Sequence, residues 1–495
     1  MARKVEEVFV TEGVPQETFV EPPNYGNVLV DVRHPKKPVV IEGQSGTGKT
    51  TTVRKIIARL ENGHEAKYLS PRNPDHMEKI VSLATHPGPG IFIVDDFHRL
   101  NEDIREQLGN IAKIAAETPE DNLPKIILIG INQVGSGLIQ FVPDIAKRVG
   151  IHKISPASKP RTLELIQAGC ESLNITIENS DVIYEESQGD YWLTQLLCQS
   201  ACTGAGIYEV ISGAKKSIIA DRGTLRSRIV DRLHAAYSEA VKEFCRGRRF
   251  RPSNDPYFKL LKAVAEHGAQ TGDSNVDLTM LANSRADVRQ SINNVKDHRL
   301  GILLTDKPQA ARYFYYNEET KQFCIEDPAV FYYIKHLNWD RLRTECGFRA
   351  DDGKTFDYDV AISFAAPSRE LARYLADQLE QLDVKVFYDE NYETNLLGKS
   401  LSREFERIFK DASRFVVCLL DGAHRERVWP TFERDCFVPR VSDECVLPVY
   451  LDNTNFPGLS GKDLKGIFYK FDAGTSDWQQ RADKEIIYPL IDWIG

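Results

Sequence analysis

Val39-Val40-Ile41-Glu42-Gly43-Gln44-Ser45-Gly46-Thr47-Gly48-Lys49-Thr50-Thr51 is the stretch from which the fold of this chain is read. Its apolar start predicts a short buried strand, its glycines a tight loop, and Val53, Ile56 and Ile57 beyond it a helix. The loop satisfies G-x-x-x-x-G-K-[ST] in full, within the strand–loop–helix context that gives the pattern its meaning. Gly43, Gly46 and Gly48 let the backbone fold tightly, so that its N–H groups surround a phosphate. The helix opening near Lys49 adds its positive end. Lys49 is expected to reach the β- and γ-phosphates and Thr50 to offer its hydroxyl to Mg²⁺, with Thr51 completing the set. This is a nucleotide site, for ATP or ADP with Mg²⁺.

Working outward, the 495 residues are too many for one core and suggest about three domains. A hydrophobic content of 42% and a charged content of 27% are those of a soluble globular protein. A net charge of −9 argues against a protein that coats nucleic acid. The nine cysteines follow no metal or disulfide pattern, as in a reducing cytoplasm. No signal peptide or membrane span is expected, so a cytoplasmic protein without a membrane partner is the expectation.

Residues 1–37 form a mixed N-terminal segment. Within it Tyr25 is a candidate to touch the adenine base, with a plain surface loop as the simpler reading. Residues 38–155 alternate strands and helices, the pattern of a parallel sheet. There Ile91-Phe92-Ile93-Val94-Asp95-Asp96 is an apolar strand ending in two carboxylates, about 45 residues past the glycine-rich loop. Asp95 is expected to hold Mg²⁺ together with Thr50, and Asp96 to polarise an attacking water. Asn132, ending the strand Lys125–Asn132, is either a γ-phosphate sensor or a turn residue. Arg148 either touches a phosphate, here or in a neighbouring subunit, or is an exposed helix arginine.

Residues 156–250 carry helical periodicity with few strand signals, an all-α lid in which Gly189-Asp190-Tyr191-Trp192-Leu193 opens a helix. The basic run Arg246-Gly247-Arg248-Arg249-Phe250-Arg251 reads as a solvated linker, with nucleic-acid or acidic-partner binding as the alternative. Residues 251–345 read as a winged helix. Tyr257–His267 and Asp277–Leu281 are helices, Ser284–Asp287 a capping box opening a third, and Leu300–Thr305 and Tyr313–Ile325 the strands of the wing. Arg285 and Arg289 on the third helix would serve DNA reading, against an intramolecular role for the module. After a linker, residues 355–495 form a second, smaller doubly wound unit, with strands at Val360–Phe364, Val384–Tyr388, Phe415–Leu420 and Val446–Leu451. Pro448 marks the last as an edge strand. The expected fold class is α/β throughout: a P-loop parallel sheet, helical lid and winged helix, then a flavodoxin-like parallel sheet.

At Gly43–Thr50, Asp95-Asp96, the lid and the winged helix, the chain resembles the STAND branch of AAA+-like ATPases, which includes NB-ARC and NACHT modules. In that family a His-Asp near the end of the winged helix closes over bound ADP. The matching place is Ile325-Glu326-Asp327, where glutamate replaces histidine. The lid's usual Gly-x-Pro reads Gly189-Asp190-Tyr191. Archaeal and origin-recognition ATPases with winged helices are related possibilities.

Residues 355–495 look like a TIR domain at Tyr358–Phe364, Val386-Phe387-Tyr388-Asp389-Glu390 and Val428-Trp429-Pro430-Thr431-Phe432-Glu433. Proline stands where the family's last motif has cysteine, which the first position of a helix tolerates. In members that hydrolyse NAD⁺ the motif's glutamate is catalytic, so the resemblance implies Glu433 as catalyst, the competing reading being a first-turn surface glutamate. Phe364, Ala365, Ala366 and Trp429 are then the implied pocket. Together the resemblances imply a nucleotide-switched, innate-immune and antiphage ATPase. It would self-associate through its ATPase and TIR domains, activating NAD⁺ hydrolysis to nicotinamide and linear or cyclic ADP-ribose. A separate trigger protein is a possible partner, since no sensing repeat array is found. A non-catalytic TIR scaffold and a DNA-engaging ATPase are the alternatives.

Overall fold

The computed structural model describes residues 2–60, 63–118, 122–131, 147–252, 254–297, 299–349, 356–388, 401–426, 436–454, 456, 459 and 464–494. Asn132, Trp429 and Glu433 lie outside the described residues.

The first sheet is parallel. Its strands are β1 (Val39–Glu42), β2 (Lys67–Leu69), β3 (Gly90–Val94), β4 (Pro124–Gly130) and β5 (Gly150–Lys153), in the order β2-β3-β4-β1-β5. Val39, Val40 and Ile41 are fully buried because helices cover both faces, which is why β1 reads as a continuous apolar run. The strand order inserts β4 between the glycine-rich loop's strand and β3, so Thr50 and Asp95 face each other across its carboxyl end. Lys125 on β4 is buried and donates to the carbonyls of Asp31 (2.9 Å) and His34 (2.7 Å) at the end of the helix Tyr25–Arg33, and to that of Lys37 beyond it. The carbonyls of Asp31 and His34 have no partner further along that helix, and the buried Lys125 amine supplies one.

The next stretch departs from an all-α lid. Helices Lys159–Leu173, Asp181–Ser187, Tyr191–Gly204 and Arg222–Arg246 are joined by a two-stranded parallel ribbon, β6 (Ile175–Ile177) with β7 (Lys216–Ile218). The N-terminal segment is not a surface loop. Val5, Val8, Phe9 and Val20 belong to the same core as the lid helices, and Phe9 lies so close to Gly169 that a Cβ there would meet its ring at 2.3 Å.

The stretch expected as a winged helix also needs correction. Helices Pro256–Thr271, Leu278–Ser284 and Arg289–Lys296 are present, but Ser284 ends the second helix rather than capping the third. Leu300–Thr305 lies in a helix, Arg299–Asp306, because Leu300 and Leu303 bury one face while Ile302 is 42% exposed. The sheet is β8 (Asn275–Asp277), β9 (Phe314–Asn317) and β10 (Gln322–Ile325), antiparallel in the order β8-β10-β9.

The last sheet is β11 (Tyr358–Ser363), β12 (Val386–Phe387), β13 (Ser413–Leu420), β14 (Val446–Tyr450) and β15 (Ile467–Phe468), parallel and ordered β12-β11-β13-β14-β15. β14 is internal, contrary to the edge expected from Pro448. Pairing with β15 begins at Val449, one residue past the proline, so its missing N–H leaves no gap in that ladder.

The basic run is no solvated linker. It packs on the amino-terminal ends of β11 and β12. Arg251, 8% exposed, donates to the Asp383 carbonyl at 2.5 Å and lies 3.5 Å from Asp359. Arg248 lies 3.6 Å from the Asp383 carboxylate. Lys385 reaches Asn294 at 2.8 Å and Gln290 reaches the Asp357 carbonyl at 3.2 Å, so the helix Arg289–Lys296 joins the same contact. No described helix is long and apolar enough to cross a membrane.

Candidate functional sites

At the glycine-rich loop, Gly46 and Gly48 have φ of +80° and +82°, the left-handed region that favours glycine. Gly46 has a second reason to lack a side chain: a Cβ would stand 1.9 Å from Asp190 Oδ2. Lys49 is half-buried and its Nζ donates to the carbonyls of Gly43 (2.9 Å) and Gln44 (2.6 Å). Burial lowers its pKa. Thr50 Oγ1 donates to Asp95 Oδ2 at 2.7 Å. Burial, with the neighbouring charge of Asp96, pushes the Asp95 carboxyl up. A hydroxyl and a carboxylate side by side suit Mg²⁺, which takes few protein ligands and keeps its waters.

These residues open into a cavity of about 290 Å³. Ser45–Thr52, Asp95 and Asp96 line it, together with Val10, Thr18, Phe19, Val20, Leu165, Trp192 and Gln195. Of the residues named from sequence, Gly46, Gly48, Lys49, Thr50, Thr51, Asp95 and Asp96 line it and Gly43 supports it through Lys49. Arg148 does not line it and pairs with Glu117 at 3.1 Å. Tyr25 does not line it either, whereas Phe19, Val20 and Pro22 do.

Asp96 has a left-handed backbone (φ 54°) that turns its carboxylate to Ser70 (3.0 Å) and Arg72 (2.9 Å). Arg72 continues to Glu326 at 3.1 Å, and Glu326 also meets His98 at 2.5 Å and Arg99 Nε at 3.0 Å. Glu326 follows β10, so a buried carboxylate ties the β8–β10 unit to the acidic end of β3. Burial alone would raise its pKa, but hydrogen bonds from His98 and Arg99 and the Arg72 charge hold it at about 2. Asp96, His98 and Glu326 come close enough to hold a cation. Arg72 and Arg99 already supply positive charge there, so the cluster is an ion-pair network. Arg72 and Arg99 add hydrogen bonds to the carbonyls of Arg312 and Ala311, both at 2.8 Å. Sequence reading missed Arg72 because β2, which positions it, is three residues long and carries no periodic signal.

On the opposite side of the loop Asp190 caps the helix Tyr191–Gly204, accepting from the Leu193 N–H at 2.8 Å. Burial pushes its carboxyl up to about 6, against that hydrogen bond and the Lys335 charge.

In the last sheet the chain leaves the carboxyl ends of the paired strands β11 and β13 toward opposite sides, to β12 and to β14, the switch point where ligands of such sheets bind. Phe364 and Ala365 are buried there and Ala366 is exposed at the start of a turn. Phe364 stacks on Tyr388 with ring centroids 5.3 Å apart. Behind them Ser363 Oγ lies 3.1 Å from His424 Nε2, and Ser368 donates to Asp421 Oδ2 at 2.7 Å. These four polar residues were not singled out from sequence, although each follows or ends a recognisable strand. Arg285, considered for DNA, pairs with Glu266 (2.8 Å) and Asp287 (2.7 Å). Arg289 donates to the carbonyls of Ala282 (3.1 Å) and Asn283 (3.2 Å).

A family model described as TIR domain matches residues 360–486. A 3′ cyclic ADP-D-ribose synthase of Aquimarina amphilecti is 34% identical over 119 residues, which are 23% of this chain and 35% of that protein. The chain thus spans about a third of that relative's length. Among solved structures, the Aeropyrum pernix ORC1 protein in complex with DNA aligns with 69% of this chain and 96% of its own, at 13% identity and a TM-score of 0.39. The Thermotoga maritima RuvB Holliday junction branch migration motor aligns with 68% of this chain and 100% of its own, at 14% identity and a TM-score of 0.33.

Proposed function

With residues 360–486 a TIR domain, we propose that the chain is a nucleotide-gated switch whose output is cleavage of NAD⁺. The observation that carries the reading is the relative named as a 3′ cyclic ADP-D-ribose synthase, 34% identical over 119 residues. Glu433 is the proposed catalyst. The bond between C1′ of the ribose and the nicotinamide nitrogen breaks with its electron pair going to nicotinamide, which leaves neutral. The carboxylate stabilises the oxocarbenium-like ribose left behind. Water then adds at C1′ and loses a proton to give ADP-ribose, or a hydroxyl of the same molecule adds and gives a cyclic product. Phe364, Ala365, Ala366 and Trp429 form the pocket, with Ser363–His424 and Ser368–Asp421 holding its floor.

The P-loop cavity is the proposed control site. Gly43, Gly46, Gly48, Lys49, Thr50 and Thr51 take the phosphates of ATP or ADP, while Thr50 and Asp95 hold Mg²⁺, which neutralises phosphate charge when bound. Asp96, Asn132 and Arg148 are assigned to water or phosphate sensing. Glu326 then acts as a latch, keeping the β8–β10 unit on the acidic end of β3 until nucleotide competes for Arg72. Release allows self-association, and pairing of TIR domains at raised local concentration completes the pocket. Innate, antiphage defence by depletion of NAD⁺ is the setting proposed, with a separate trigger protein upstream. Chromatography of NAD⁺ incubated with the full-length protein, with and without ATP and Mg²⁺, tests this. The reading expects nicotinamide and an equal amount of linear or cyclic ADP-ribose; NAD⁺ left intact by the assembled protein contradicts it.

A further inference from the structure

Apart from the P-loop and the charged residues beside it, the cavity lining is mostly apolar. Val10, Phe19, Val20, Pro22 and Leu165 can take a flat ring but cannot tell one base from another. The Trp192 indole N–H is already spent on the Thr11 carbonyl at 3.0 Å. Gln195 is different. It lines the cavity, is 3% exposed, and its Nε2 donates to Thr18 Oγ1 at 2.7 Å. Thr18 Oγ1 in turn donates its single proton to the Val8 carbonyl at 2.8 Å. With that proton committed, Thr18 Oγ1 accepts from Gln195, so turning the amide over would set oxygen against oxygen. The network therefore fixes Gln195 Oε1 as an acceptor, and among the described residues it has no hydrogen-bond partner. A buried acceptor left in that state favours any ligand that brings an N–H to it.

We propose that Gln195 reads the base: its Oε1 accepts a hydrogen bond from the exocyclic amino group at C6 of a purine, so the cavity selects adenine over guanine nucleotides. This rests on the cavity being the nucleotide site. Guanine carries a carbonyl at C6 and would set two acceptors against each other. The pair cannot adjust, because the Thr18–Val8 hydrogen bond holds the amide. A site built around a buried hydrogen-bonding group rejects the analogue that lacks the matching group more strongly than an apolar wall rejects a change of size.

The test measures equilibrium binding of ATP, GTP and purine riboside 5′-triphosphate, which lacks the 6-amino group, to the full-length protein and its Gln195→Leu variant. Wild type is expected to prefer ATP to purine riboside triphosphate by about fivefold to tenfold, and GTP to bind more weakly still. Gln195→Leu is expected to bind ATP and the riboside triphosphate within about twofold of each other. Thr18→Val decides if Gln195→Leu fails to fold. It frees the amide to turn and present Nε2, so GTP should gain on ATP while ATP still binds. Equal wild-type affinity for ATP and GTP, or a preference for ATP undiminished in the variants, overturns the assignment. Lys49→Ala separates the two levels. A wild type that binds no nucleotide, or a Lys49→Ala protein that binds as well as wild type, removes the cavity reading and this inference with it.

Discussion

Replacing Glu326 with glutamine keeps the side chain's shape and removes its charge, so it isolates what the carboxylate does at the junction. The Glu326 side chain is 3% exposed and faces Arg72, His98 and Arg99. A carboxyl held at about 2 instead of 4.5 corresponds to about 3 kcal/mol, at roughly 1.4 kcal/mol per pKa unit. Breaking a buried pair by removing one partner gives a similar figure, about 3–5 kcal/mol. The loss falls on the contact between the β8–β10 unit and the end of β3, and about 3 kcal/mol is roughly a hundredfold in its docking constant. Trypsin offers a local reading. The Arg312 carbonyl is held by Arg72 at 2.8 Å, so the bond after Arg312 is cut only from the released state. When release and redocking are fast, cleavage follows the released population, and Glu326→Gln should be cut there on the order of a hundred times faster. Because the folded pKa is depressed, the stabilisation is fully present above the unfolded value near 4.5 and is lost only as pH falls toward 2. The acceleration should therefore be the same at pH 7 and pH 8.5. A change below about threefold, or one that varies with pH in this range, would refute the reasoning.

Three further outcomes are expected. Asp190 has a folded pKa raised from 3.8 to about 6, so its contribution is present below the unfolded value and lost as pH rises through the folded one. Asp190→Asn, which can still cap its helix, should raise stability at pH 7 by about 2–3 kcal/mol and flatten the slope between pH 4 and 6 in urea unfolding. Arg251→Glu sets a third negative charge against Asp359 and Asp383 at a buried contact, and like-charge juxtaposition costs several kcal/mol. Small-angle scattering should show a larger radius of gyration for that variant, and an unchanged profile counts against the docked arrangement. Lys49→Ala should lose the thermal stabilisation by ATP that wild type shows, about 2.7 kcal/mol at a hundredfold excess over Kd.

What sequence shows of this molecule is local, and what it hides is mostly long-range. β1 and β3 are apolar runs and β11 carries Val360-Ala361-Ile362, so the loop after β1 that leads to Lys49, and Asp95 and Phe364 directly after β3 and β11, were readable directly. Leu300–Thr305 misled because a short apolar run with one glycine fits strand and helix alike. Only the exposure of Ile302 against the burial of Leu300 and Leu303 decides for helix. The arginines after Arg246 looked like solvated charge because Asp359 and Asp383, which they meet, are more than 100 residues away. Glu326 stood out only as a departure from a family motif. Its partners Arg72, His98 and Arg99 come from the other side of the junction. Gln195 carried no signal, since its meaning depends on a hydroxyl at Thr18 and a carbonyl at Val8.

Nicotinamide release from NAD⁺ by wild type, Glu433→Ala and Lys49→Ala, each assayed with ATP and Mg²⁺ under the same activating conditions, tests the central claim most directly. The account predicts release by wild type, none by Glu433→Ala even when it assembles normally, and loss of the ATP-dependent part in Lys49→Ala. Release by Glu433→Ala at the wild-type rate, or by Lys49→Ala with its full response to ATP, would contradict it.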